Sequence, residues 1–169
     1  MKRVLVFGAG RVARPCVQYL LKQEGIEVTV VDAVPENLAR VTEGHPRSRS
    51  VVADAGKDSA GLIASEKPDL VINLLPPAFM APVARQCLEA GVNLVHPAYL
   101  DDETLALDAP AKASGLVFLA ELGLDPGIDH MSAARTVRRI REAGGQVESF
   151  RSVCGALPSA EANTNPWGY

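Results

Sequence analysis

Three observations predict a doubly wound α/β fold, a parallel sheet of the Rossmann type with helices on both faces. An apolar run without helical spacing, Arg3-Val4-Leu5-Val6-Phe7, breaks into Gly8-Ala9-Gly10-Arg11-Val12-Ala13 and passes at once into a helical pattern. A second apolar run, Ile26 to Asp32, ends in an acid about twenty residues beyond those glycines. Short apolar runs then alternate with helical stretches as far as Ala120, as parallel strands joined by crossover helices require.

Each residue type in the Gly-x-Gly-x-x-Ala stretch suits the approach of a pyrophosphate. Gly8 supplies a tight turn, Gly10 lets phosphate reach the backbone because it has no Cβ, and Ala13 is small enough for close helix–strand packing. The N–H groups that open the following helix, with its dipole, then face the phosphates. Asp32 stands where a carboxylate binds the adenosine ribose hydroxyls. Glycine-rich turns also occur in α/β proteins that bind no nucleotide. Here strand, glycines, helix, strand and acid stand in register, which points to a dinucleotide.

The elements follow in order. The first helix is expected from Arg11 to about Glu24, with Val12, Cys16, Tyr19 and Leu20 on one face, and Pro15 either moves its start toward Ala13 or distorts its first turn. Pro35 to Thr42 reads as a second helix with proline in its first turn, and Ser50 to Asp54 as a third strand. The second half repeats the alternation: a strand over 70–74, a helix over 79–90, a strand over 92–95, a helix over 102–114 interrupted near Pro110, and a sixth strand over 116–120. Right-handed crossovers give the strand order 3-2-1-4-5-6, with ligand sites at the carboxyl ends of the strands. Asp125 reads as an N-cap with Pro126 at the first helical position, opening a helix that reaches about Ala143 and closes at Gly144-Gly145. From Gln146 to Cys154 polar and apolar residues alternate as in a half-buried strand. The expected division is a dinucleotide-binding domain over 1–125 and, over 126–169, a connecting helix with the start of a second, α+β domain that the chain is expected to leave incomplete.

Composition narrows the function. The 169 residues, 47% hydrophobic and 22% charged, suffice for one well-buried domain and part of another. A net charge of −3 supplies no basic surface for a nucleic-acid backbone, and no segment is long and apolar enough to span a membrane. Cys16, Cys87 and Cys154 form no Cys-x-x-Cys pair, which suits a reducing, cytoplasmic setting. His45, His96 and His130 show no metal-ligand spacing, and no metal is expected. Arg135, Arg138, Arg139 and Arg141 read as a solvated helix face.

The chain resembles the glutamate-forming saccharopine dehydrogenases. The likeness rests on Gly8-Ala9-Gly10-Arg11-Val12-Ala13-Arg14-Pro15, on Gly123-Leu124-Asp125-Pro126-Gly127-Ile128-Asp129-His130, and on Cys154-Gly155-Ala156-Leu157-Pro158 followed by Asn165-Pro166-Trp167-Gly168-Tyr169. The resemblance implies oxidation of a secondary amine, saccharopine, by hydride transfer to a nicotinamide, with hydrolysis to glutamate and aminoadipate semialdehyde in lysine metabolism. It implies that Gly8, Gly10, Arg11, Val12 and Ala13 lie at the pyrophosphate and Asp32 at the adenosine ribose, with Asp54 and Ala55 bordering the adenine. It places Leu75, Pro97 and Ala98 along the dinucleotide, Leu124 near the nicotinamide, and Tyr99, Asp125 and Cys154 at the substrate.

Two departures bear on these roles. NADP-using fungal relatives carry a basic residue where this chain has Asp32, and a carboxylate there repels a 2′-phosphate; NAD is therefore the expected cofactor, with Arg11 leaving NADP open. Those relatives have Thr-Ser where this chain has Pro97-Ala98, so a hydroxyl contact is missing. An amine releases hydride only when nitrogen can donate its lone pair, so a base must first take a proton, and Asp125 is the first candidate. Tyr99 suits a substrate carboxylate, and a cysteine placed as Cys154 is more often a small buried hydrophobe than a nucleophile. Two alternatives stand beside this reading: a non-catalytic NAD(H)-sensing module and a carboxynorspermidine-type dehydrogenase. A homo-oligomer is compatible with the resemblance, and the sequence does not fix it.

Overall fold

Six parallel strands in the order β3-β2-β1-β4-β5-β6 form one sheet in the computed structural model, which describes residues 1–153. The strands are β1 (Lys2–Phe7), β2 (Ile26–Asp32), β3 (Ser48–Val52), β4 (Leu70–Asn73), β5 (Asn93–Val95) and β6 (Phe118–Leu119). The helices are α1 (Ala13–Lys22), α2 (Pro35–Thr42), α3 (Ala55–Glu66), α4 (Met80–Ala90), α5 (Asp102–Leu105), α6 (Asp108–Ala113) and α7 (Ile128–Glu142). The backbone falls into two compact units, Met1–Gly127 and Ile128–Tyr169.

The central strands bury apolar residues on both faces because both faces of the sheet are covered. Val4 and Val6 of β1, with Val28 and Val30 of β2, turn to one face and pack against Ala13, Val17 and Leu21 of α1 and Leu38 and Val41 of α2. Leu5 and Phe7, one residue out of phase, turn to the other face with Ile63 of α3 and Val83, Ala84 and Cys87 of α4. Full burial of each of these Val, Leu, Ile and Phe side chains stabilises the fold by about 1.5–3 kcal/mol, so these two layers carry the sheet.

Several elements differ from the sequence expectation. Helix α1 starts at Ala13, and its buried stripe is Ala13, Val17 and Leu21; Cys16 and Leu20 lie at its margin, while Val12 and Tyr19 are exposed. The small Ala13, fully buried under the glycine loop, sets that rotation. Strand β3 runs two residues earlier than expected, and Asp54 is the N-cap of α3, its carboxylate accepting from the Gly56 N–H at 3.0 Å. The sequence pattern does not mark helix α3, because Gly56 and Gly61 dilute it and its buried residues are the modest set Ala55, Ser59 and Ile63. The 102–114 helix breaks at Ala106–Leu107; Pro110 sits in the first turn of α6, where its missing N–H is harmless.

Two corrections concern the later residues. Helix α7 begins at Ile128, two residues after Pro126, so Asp125 is not its N-cap and Pro126 is not its first residue; the Asp125–Pro126 peptide is cis. Residues 146–153 form no strand and are exposed, since no strand pairs with them among the described residues and an alternating segment needs a sheet neighbour for its backbone groups. Cys154 and the run from Gly155 to Tyr169 lie outside the described residues.

Candidate functional site

The carboxyl ends of β1, β2 and β4 meet at the glycine loop. Gly8 has φ +95°, and a Cβ there would stand 3.1 Å from the Leu74 carbonyl oxygen, so both the turn and the approach of the 74–75 backbone require glycine. Gly10 differs: its φ is not positive, and a Cβ there would meet no protein atom within 4 Å. Nothing inside the protein demands glycine at this position, which leaves the space beside it for a ligand. Helix α1 begins three residues later with no side-chain cap and no acid in its first turn, so the positive end of its dipole is unneutralised. Arg11 and Val12 are exposed beside it.

Asp32 ends β2 and is bound to this loop. Its Oδ2 accepts from the Ala9 N–H at 2.6 Å, and its Oδ1 accepts from the Val34 N–H at 2.8 Å and the Asn37 side-chain amide at 3.4 Å. The carboxylate therefore shapes the loop as well as offering its remaining lone pairs to a ribose. Asp54 is exposed beyond β3, paired with Lys57 at 3.2 Å, whereas Ala55 is buried in the core under Phe7 and Val31.

A buried asparagine, Asn73, builds the next wall and was missed by the sequence reading. It is fully buried at the end of β4; its amide donates to the Phe79 carbonyl at 3.2 Å and its oxygen accepts from the Leu75 N–H at 3.2 Å. A polar residue closing an apolar strand just before Pro76-Pro77 was the available signal. Leu75, half-buried, is thereby held against Gly8.

Past β5 and β6 the chain forms a second set of contacts. Leu122 N–H donates to the His96 carbonyl at 3.2 Å, Glu121 N–H to the Ala98 carbonyl at 3.1 Å, and Leu100 N–H to the Glu121 carboxylate at 3.2 Å. Gly123 is packed so closely on Pro97 that a Cβ would lie 3.1 Å from the proline Cβ. This pairing brings together two residues that the sequence named separately: the Tyr99 hydroxyl donates to Asp125 Oδ1 at 2.8 Å. Both side chains are exposed, as is Leu124.

His96 is buried at the end of β5. Burial lowers its pKa below 6.5, opposed by the Asp101 carboxylate, the Ala98 carbonyl and Glu121. With Leu100, Thr104, Phe118 and Glu121 it lines a cavity of about 220 Å³. A larger groove of about 520 Å³, lined by Arg3, Glu27, Arg49 and Glu66, lies at the amino ends of the strands, opposite the glycine loop. The glycine loop and the open start of α1 lie at the carboxyl ends of the strands, where ligands bind in folds of this kind. Among the described residues no helix is long and apolar enough to cross a membrane, and no three His, Cys, Asp or Glu side chains gather as metal ligands.

Comparison with known proteins agrees with this geometry. Residues 4–119 match the family model for the saccharopine dehydrogenase NADP binding domain, and residues 123–169 that for the saccharopine dehydrogenase C-terminal domain. The chain is 37% identical to a saccharopine dehydrogenase [NADP(+), L-glutamate-forming] of Pyricularia oryzae, over 99% of this chain and 37% of the relative. It is likewise 37% identical to the mitochondrial alpha-aminoadipic semialdehyde synthase of Bos taurus, over 99% of this chain and 18% of that protein. The apo saccharopine dehydrogenase (L-Glu forming) of Saccharomyces cerevisiae superposes with a TM-score of 0.81 at 32% identity, covering all of this chain and 38% of that one. A myo-inositol 2-dehydrogenase from Lactobacillus plantarum, at 16% identity and a TM-score of 0.63, shares the fold alone. The chain thus spans little more than a third of the saccharopine dehydrogenases it matches. On its sheet, its glycine loop and a match that runs through nearly the whole chain, it belongs to the saccharopine dehydrogenase family.

Proposed function

We propose that this chain is the NAD(P)-binding portion of an oxidoreductase that oxidises saccharopine at its secondary amine, yielding glutamate and aminoadipate semialdehyde in a reducing, cytoplasmic setting. The observation that carries the reading is the open space at Gly10 beside the uncapped start of α1, where a pyrophosphate can reach the backbone and meet the positive end of the helix dipole. Gly8 and Ala13 shape the loop and its packing on α1, Gly10, Arg11 and Val12 line the phosphates, Asp32 holds the ribose, and Asp54 borders the adenine side. Leu75, Pro97, Ala98 and Leu124 line the remainder.

The bound dinucleotide would supply a hydride acceptor. The protein's task is the proton: the substrate ammonium must lose one before its nitrogen lone pair can expel hydride from the neighbouring carbon. Asp125 takes that proton, and Tyr99, donating to one carboxylate oxygen, orients it. Water then adds to the substrate imine and the C–N bond breaks. Asp32 favours NAD by repelling a 2′-phosphate, and Arg11 offers the opposite charge.

Amide NMR of the chain titrated with NADH and then with saccharopine tests the assignment. The first ligand is expected to shift the Gly8 to Val12 and Asp32 signals, the second those of Tyr99 and Asp125. Shifts confined to other regions would overturn it.

A further inference from the structure

The two peptide groups that flank the Ala9 Cα are each held by a side chain. The Ala9 N–H donates to Asp32 Oδ2 at 2.6 Å, and the Ala9 carbonyl accepts from Arg40 Nη2 at 3.1 Å. The same Arg40 nitrogen donates to Asn37 Oδ1 at 3.2 Å, and the Asn37 amide reaches Asp32 Oδ1 at 3.4 Å. Arg40, Asn37 and Asp32 thus close a ring of polar contacts from α2 onto the glycine loop. The Ala9–Gly10 peptide is trans and planar, so its carbonyl and its N–H point in opposite directions. Fixing the Ala9 carbonyl toward Arg40 turns the Gly10 N–H away from α2.

We infer that Arg40 is a positioning residue for phosphate recognition: by holding the Ala9 carbonyl it aims the Gly10 N–H, which serves as a donor to the dinucleotide pyrophosphate. This rests on the dinucleotide reading above. In this role Arg40 acts through one peptide group, by its bond to the Ala9 carbonyl. The pyrophosphate is common to NADH and NADPH, so the residue sets affinity for both alike. A direct contact with a 2′-phosphate would instead favour one of them.

The test compares wild type, Arg40→Met and Arg40→Lys by calorimetric titration with NADH and NADPH, and by the amide NMR signals of Ala9 and Gly10 without cofactor. Arg40→Met is expected to weaken both dinucleotides by a similar factor, roughly tenfold, the worth of one charge-assisted hydrogen bond. Its Gly10 amide is expected to shift in the cofactor-free protein, while the melting temperature moves little because Arg40 is exposed. Arg40→Lys restores affinity in proportion to the return of the Gly10 signal. A loss confined to NADPH would make Arg40 a 2′-phosphate ligand and overturn the inference, as would an unmoved Gly10 amide or unchanged affinities. If wild type binds neither dinucleotide, the functional reading fails, and the Gly10 amide of Arg40→Met still decides whether Arg40 holds the loop.

Discussion

Two glycines two residues apart separate what the fold needs from what the ligand needs. In Gly8→Ala a side chain must adopt φ near +95°, which L residues avoid, and its Cβ presses on the Leu74 carbonyl at 3.1 Å. Backbone strain of about 1–3 kcal/mol and overpacking of about 1–3 kcal/mol together remove about 2–6 kcal/mol. That is a large share of the roughly 5–15 kcal/mol that holds a domain folded. In Gly10→Ala the Cβ enters empty space at an ordinary φ. Stability should stay within about 1 kcal/mol of wild type, and reduced freedom of the unfolded chain pushes it upward. The added methyl nevertheless stands where the pyrophosphate approaches. Losing one charged hydrogen bond there, about 1.5–3 kcal/mol, weakens dinucleotide binding roughly ten- to hundredfold. Urea unfolding of the cofactor-free proteins and calorimetric titration with NADH and NADPH read the two effects separately. Wild-type affinity in Gly10→Ala, or a loss of stability there as large as in Gly8→Ala, would refute the reasoning.

Other perturbations follow from the same contacts. Asp32→Ala leaves the Ala9 and Val34 N–H groups without their acceptor, so urea unfolding should show a loss of about 1–3 kcal/mol, and removing the negative charge should move the NADH/NADPH affinity ratio toward NADPH. His96 has a folded-state pKa below 6.5, so the unfolded chain binds its proton first as pH falls. The stability contributed by the neutral, buried ring is complete above pH 6.5 and declines as pH drops through 6.5 toward the lower folded value; urea midpoints at pH 7.5 and 5.5 should differ less in His96→Gln. Burial pushes the Cys87 thiol up to about 12, so a thiol reagent at pH 8 should leave Cys87 unmodified in the native protein and label it after denaturation.

The parts of the fold that could be read from the sequence are those in which local pattern and tertiary burial coincide. Strands β1 and β2 are buried on both faces and bounded by glycine or a turn, so their apolar runs mark them nearly to the residue. Helix α2 announces itself through Pro35. Helix α3 was hidden because Asp54 ends one apolar run and caps the next helix, and a carboxylate in that place reads as either. The stripe of α1 came out one position off because Val12 is as apolar as Val17; only the requirement that Ala13 pack beneath the loop distinguishes them. Within the site, the glycines and Asp32 were legible as a motif. The Tyr99–Asp125 bond was not, since it joins residues 26 positions apart and depends on β5 pairing with β6. Arg40 belongs to no motif: on sequence it is one more basic residue on an exposed helix face, and only the position of the Ala9 carbonyl gives it a role.

The central claim is that the loop from Gly8 to Val12, braced by Asp32, receives the pyrophosphate of a nicotinamide dinucleotide. Parallel calorimetric titrations of the chain with NADH and NADPH, with Gly10→Ala alongside, test it most directly. The account predicts saturable binding with one site per chain, tighter for NADH, and weakened roughly ten- to hundredfold in Gly10→Ala. No heat of binding with either cofactor, or binding that Gly10→Ala leaves untouched, would contradict it.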